Sequence, residues 1–206
     1  VGVSFAQMAR TMSSRLRAAV ALAAGVSIVA GLLGTSRVAR SAAVAALQPV
    51  LRGRLVDVIL TSNPASPLCW SVIGVELDEA GGEYVLRRGT LSLAPDWTAP
   101  TACASHRFAG SVEARTIADG QLALRDETHQ PLRRLRDLAE RDCSVRAWLR
   151  FGRAPVVAGG AIFDLRFAER LGQNFTRMPL RDASDASPCP SHVPGWGMPR
   201  ADLLGE

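Results

Sequence analysis

A chain of 206 residues has room for one moderate domain plus an appendage, or for two small domains. All of its 24 basic residues are arginine and the formal charge is +5. Acidic residues are interspersed with the arginines and no basic block alternates with stacking aromatics, which excludes nucleic acid as the partner.

Residues 1–17 form a flank carrying Arg10, Arg15 and Arg17, and the run that follows, AAVALAAGVSIVAGLLGTS at 18–36, holds no charge. As a helix it covers about 28 Å, close to the roughly 30 Å hydrocarbon core of a bilayer. Gly25, Gly31 and Gly34 within it suit a membrane helix, where small residues allow close packing. The leading reading is therefore a membrane span with a helical extension over 18–48, ended by Pro49, and a lipid bilayer as partner. Two rivals stay open. One is a signal peptide, with a basic flank, an apolar run and the small-residue stretch SAAVAA at 41–46. The other is an alanine-rich buried helix. Arginine on both sides leaves the orientation open, because the positive-inside rule needs an asymmetry.

Residues 50–182 are predicted to form a soluble α+β domain, mostly antiparallel sheet with inserted helices. LRGRLVDVIL (51–60) alternates as a strand, and WSVIGVEL (70–77) is a second strand with Ile73, Val75 and Leu77 on one face. DEAGG (78–82) is a hairpin turn, and EYVLRRGTLSL (83–93) is the returning strand. Residues 94–106 read as loop and 107–118 as a short helix. Leu132, Leu135 and Leu138 predict an amphipathic helix with Pro131 at its first turn. Asp142 or Ser144 caps a further short helix in which Trp148 and Leu149 face inward. Segments 155–168 and 174–181 have strand character, and 183–206 is a proline- and glycine-rich tail with little to bury.

Between the first two strands lies NPASPLCW. Asn63 tolerates turn conformations, while Pro64 and Pro67 fix φ and force the residues before them to be extended. The favoured reading is a stiff turn that seats Trp70 in the core; the alternative is a ligand pocket lined by Asn63, Trp70 and Trp148. Asp164 and Arg166, two apart on a strand, share a face. The favoured reading is that they pair with each other; the alternatives are that they engage Arg153 or bind an anion. His106, His129 and His192 lack metal-ligand spacing. No nucleophile elbow, phosphate loop or dinucleotide fingerprint is present, so the residues form no catalytic constellation. Cys69, Cys103, Cys143 and Cys189 lack the close spacing of a zinc site. They read as buried free thiols, or, in an oxidising compartment, as a framework in which Cys103 and Cys189 pair.

In order and position, these segments resemble the soluble C-terminal region of the membrane-bound metal-dependent hydrolases of bacteria, over roughly residues 18–180. Pro64, Pro67, Leu68 and Trp70 match that family's Pro-x-x-Pro-Leu-x-Trp motif, and Tyr84 its tyrosine-bearing return strand. Trp148, Phe151, Arg153 and Pro155 match its aromatic–basic–proline segment; Asp164, Arg166 and Phe167 match its Asp-x-Arg-aromatic strand. The resemblance implies an inner-membrane hydrolase using a divalent metal. The family's metal ligands lie in an earlier, membrane-embedded half with no counterpart here. On that reading the chain is the last membrane helix and soluble domain of a longer protein, with its upstream membrane helices as partners. The alternative is a single-pass anchored module that binds a ligand or a protein without catalysis.

Overall fold

In the computed structural model, residues 13–64, 66–103, 115–117, 120–167, 174–181 and 200–205 are described. The chain divides into two units, Val1–Val38 and Ala39–Glu206, and the helix α1 (Ser14–Leu47) has residues in both. In the first unit none of its side chains is buried, Leu22, Val26, Leu32 and Leu33 included. A helix apolar on all sides belongs in an apolar surrounding rather than in water. Among the described residues one helix, at Ser14–Val50, is long and apolar enough to cross a membrane, by length and composition.

In the second unit the end of α1 buries Ala39, Ala43, Ala46 and Leu47, an apolar stripe at helical spacing. A short 3-10 turn, Gln48–Val50, terminates it at Pro49, which offers no backbone N–H. Five antiparallel strands follow: β1 (Arg54–Asn63), β2 (Ser66–Asp78), β3 (Glu83–Ser92), β4 (Arg115–Ile117) and β5 (Leu122–Pro131), in the order β1-β2-β3-β5-β4. Both faces of this sheet are covered. Trp70 and Val72 of β2 cluster with Ala43, Leu47, Leu91 and Leu122. Leu47 sits so close over Gly74 that a Cβ there would come within 2.9 Å of it. Ile73, Val75 and Leu77, the face predicted for this strand, cluster instead with Tyr84, Leu86 and a second layer.

That second layer begins with α2 (Leu132–Arg141), which buries Leu132, Leu135 and Ala139. In α3 (Cys143–Trp148), the Asp142 side chain caps by accepting from the Ser144 N–H, and Trp148 and Leu149 are buried. A three-stranded sheet joins β6 (Pro155–Ala158), β7 (Ala161–Asp164) and β8 (Met178–Pro179). The β6–β7 turn has φ of +55° at Gly159 and +66° at Gly160, the left-handed pair a two-residue hairpin requires.

The fold is the predicted α+β class, with differences in detail. Arg115–Ile117 is strand β4 rather than part of a helix, because it pairs with Leu122–Leu124 of β5; residues 104–114 lie outside the description. The strand expected over 155–168 is a hairpin followed by a 3-10 turn, Leu165–Phe167. Of the tail, 200–205 is described: Arg200 is buried and α4 (Ala201–Leu204) buries Leu203. Arg200 reaches Asp57 at 3.2 Å and pairs with Asp202, so this end is held by charge and one apolar plug.

The sheet encloses one fully buried carboxylate. Glu76 accepts from the backbone N–H groups of Arg52 and Gly53, each at 2.5 Å. Its other oxygen takes the Arg87 guanidinium at 2.7–2.8 Å. Arg87 also pairs with the more exposed Glu127. Removing one partner of a buried pair strands the other, so Glu76→Ala should cost about 3–5 kcal/mol, whereas Glu127→Ala should cost under about 1 kcal/mol. Denaturant unfolding of the two variants checks the difference.

Tyr84 is also fully buried, its hydroxyl donating to the Pro155 carbonyl at 2.9 Å. Burial raises its pKa well above the ordinary tyrosine value, against the charges of Arg134 and Arg200, which lower it. Above about pH 10 the unfolded chain therefore loses a proton that the folded one keeps, and stability should fall by about 1.4 kcal/mol per pH unit. The chain has a single tyrosine and no lysine, so with disulfides intact Tyr84→Phe should flatten this slope between about pH 9.5 and 11.5. Unfolding midpoints across that range test it.

Candidate functional site

The second layer packs on the sheet at Val75, Leu77, Tyr84 and Leu86. Toward the other end of that face, past Ile73, a cavity of about 520 Å³ opens, a size usual for small-molecule sites. Its floor is Ile59, Ser71, Ile73 and Thr90. The 3-10 turn Leu165–Phe167 and Phe175 form one side, Arg88 and Arg125 another, and the β1–β2 hairpin end contributes Asn63 and Pro64.

Each arginine is set by the backbone around it. Arg88 of β3 lies opposite Asp126 of β5 and donates to it through Nε at 2.9 Å. The next register pair is Gly89 with Leu124, which leaves Arg125 as the extra residue of a β-bulge; bulges re-aim the residue they carry. The bulge also brings β5 so close that a Cβ on Gly89 would sit 2.6 Å from the Ala123 carbonyl oxygen. Burial, then the neighbouring Arg88 charge, lower the pKa of Arg125, while Asp126 raises it. A guanidinium remains a cation at neutral pH all the same.

Arg166 is held from behind by Asp164, whose side chain is fully buried. That carboxylate accepts the backbone N–H groups of Arg153 at 2.8 Å and Arg166 at 2.9 Å, and the Arg166 Nε at 2.9 Å. Arg166 Nη2 also donates to the Phe151 carbonyl at 2.7 Å. Among the described residues its Nη1 makes no hydrogen bond. Beyond it, the Phe167 and Phe175 rings lie 4.7 Å apart, with the Arg166 guanidinium 4.9 Å from the Phe167 centroid. Phe167 is 40% exposed and Phe175 84%.

Of the residues singled out in the sequence, Asn63, Pro64 and Arg166 meet at this cavity, and Asp164 supports it through Arg166. Asp164 and Arg166 pair as expected, but through a 3-10 turn rather than across one strand face. Arg153 forms a bidentate pair with Asp57 at 2.8 Å. Trp70 and Trp148 do not come together: they belong to clusters on opposite faces of the sheet. Each has its own N–H partner, Pro67 O for Trp70 at 3.0 Å and Thr176 O for Trp148 at 2.9 Å. Pro67 is exposed and Tyr84 is core. His129 is exposed, 2.8 Å from Glu83; His106 and His192 lie outside the described residues. Arg88, Arg125 and Phe175 were not singled out; the arginines needed the strand register, and Phe175 a loop geometry its neighbours do not encode.

No family model, curated protein or solved structure matches this chain. No group of three or more His, Cys, Asp or Glu among the described residues could hold a metal ion, and the hydrolase resemblance puts its metal ligands in an upstream half rather than in these residues.

Cys69 is bonded to Cys103, and Cys143 is also in a disulfide. This corrects both the free-thiol reading and the pairing of Cys103 with Cys189, which lies outside the described residues. The chain after β3 folds back on β2: Leu93 N–H donates to Leu68 O at 2.8 Å and the Thr90 hydroxyl to Pro100 O at 2.6 Å. That return carries Cys103, a cavity residue, to Cys69. The bridge spans 34 residues, so Cys69→Ser with Cys103→Ser should lower stability by about 3–4 kcal/mol in the chain-entropy model. An unchanged unfolding midpoint would contradict this.

Proposed function

We propose that this chain is a membrane-anchored binding module, its helix over 14–38 in the bilayer and its second unit taking a small molecule with an apolar body. The observation that carries the reading is the cavity. An apolar and hydroxyl floor, a few fixed cations and two rings at the rim match the make-up of small-molecule sites, which are mostly apolar with a few placed polar groups. The Cys69–Cys103 bond adds a side of the membrane. Structural disulfides persist in oxidising compartments, so the second unit is assigned to the non-cytoplasmic side, an orientation the flanking arginines leave open. A bacterial inner membrane as the host bilayer rests on the family resemblance alone.

The test is calorimetric titration of 1-naphthaleneacetate into the full chain in lipid nanodiscs, with empty nanodiscs as blank. Saturable binding at one site is expected, and Ser71→Trp, which fills the cavity from its floor, should abolish it without lowering the melting temperature. Equal binding by Ser71→Trp and the natural chain would place the ligand elsewhere and end the reading.

A further inference from the structure

We infer that the ligand of this cavity carries an acceptor oxygen of the carbonyl type on an aromatic body, the oxygen bound by Arg166 Nη1 and the body held by Phe175 and Phe167. The inference rests on the binding reading above and adds the polarity of the ligand and the atom that reads it.

Arg166 supplies the geometry. Its Nε and Nη2 both lie against Asp164 Oδ2, at 2.9 and 2.8 Å, and Nη2 also donates to the Phe151 carbonyl. A guanidinium is planar and trigonal, so the edge made by two of its nitrogens points opposite to the third. Nη1 therefore faces away from Asp164, and among the described residues it makes no hydrogen bond. The group is locked from behind before any ligand arrives, and donation to an acceptor costs it little further side-chain freedom. The wall sets the polarity. Arg88, Arg125 and Arg166 line the cavity, and no Asp or Glu among the described residues does. Whatever else each guanidinium bonds to, it carries donors and no acceptor, which suits an acceptor oxygen and turns away an ammonium group. The adjoining surface is apolar. The Phe167 and Phe175 rings lie 4.7 Å apart at the rim, Phe167 is 4.9 Å from the Arg166 guanidinium, and Ile59 and Ile73 lie beneath. Donor and rings stand side by side, so an oxygen attached close to an aromatic body uses both.

The experiment compares two uncharged probes of nearly the same shape, 1-acetonaphthone and 1-isopropenylnaphthalene, in which a methylene group replaces the carbonyl oxygen. Both are titrated by calorimetry into the full chain in nanodiscs, with empty nanodiscs as blank. The ketone should bind about tenfold more tightly, as one hydrogen bond from a charged donor warrants. Arg166→Lys keeps a cation for Asp164 and removes the fixed Nη1, so it should bring the ketone down to the affinity of the hydrocarbon. Phe175→Ser, at an exposed position outside the core, should weaken both probes alike, which keeps the test usable if the Arg166 variant misfolds. Equal affinity of ketone and hydrocarbon for the natural chain overturns the acceptor assignment and leaves the cavity as a binding site. A preference for the ketone that survives Arg166→Lys overturns the role given to Nη1. Absence of saturable binding by either probe removes both the inference and the reading it rests on.

Discussion

The Asp164 carboxylate, without solvent exposure, is the constraint on which the shape of the site depends. Burying a charge costs several kcal/mol unless partners surround it, and Asp164 meets that demand with two backbone N–H groups and one guanidinium. The partners it needs are therefore fixed as well. Arg153 is held at the start of the β6 hairpin, and its side chain reaches Asp57 on β1. Arg166 is turned toward the cavity, and the 3-10 turn drives Leu165 into the core while leaving Phe167 at the rim. Asn174 and Thr176 close the arrangement from the far side of the loop, donating to the Asp164 carbonyl and accepting its N–H. A single buried charge thus sets both the packing of the second layer and the exposed chemistry beside it.

Strand β2 divides the rest. Its even-numbered side chains face the end of α1 and its odd-numbered ones face the second layer, so every residue between Trp70 and Leu77 has a fixed side. Glu76 takes an even position and is balanced there by Arg87 and the chain entering β1. The cavity lies on the odd side, where the cover ends at Ile73 and the floor changes to Ser71 and Thr90. Burial on both faces also explains why the site can be polar at its walls: the apolar area that stabilises the sheet lies elsewhere.

How far the sequence disclosed this follows the strength of local patterns. Alternation at Ile73, Val75 and Leu77 with the turn DEAGG made the β2–β3 hairpin legible, as did the leucines of α2 and the uncharged run of α1. Strand β5 was hidden because LRDETHQP carries charge where a strand would show alternation; its Asp126 and Glu127 are instead answered by arginines on β3. Trp70 was expected in the core and is there, but the face it takes depends on its parity with Val72, which sets it apart from Trp148. The bulge at Arg125 depends on register between two strands, and the Cys69–Cys103 bond on the return of a loop over β2. Neither is written in any single segment. The strand parity assumed for Asp164 and Arg166 failed because the chain turns at Leu165, although the pairing itself was anticipated.

The most direct measurement is a crystal structure of the full chain with 1-naphthaleneacetate bound. The account predicts the probe inside the cavity with its rings against Phe175, and Asp164 still pairing with Arg166 from behind. Density for the probe on another surface, or a second layer collapsed onto Ser71 and Thr90 with the cavity gone, would contradict it.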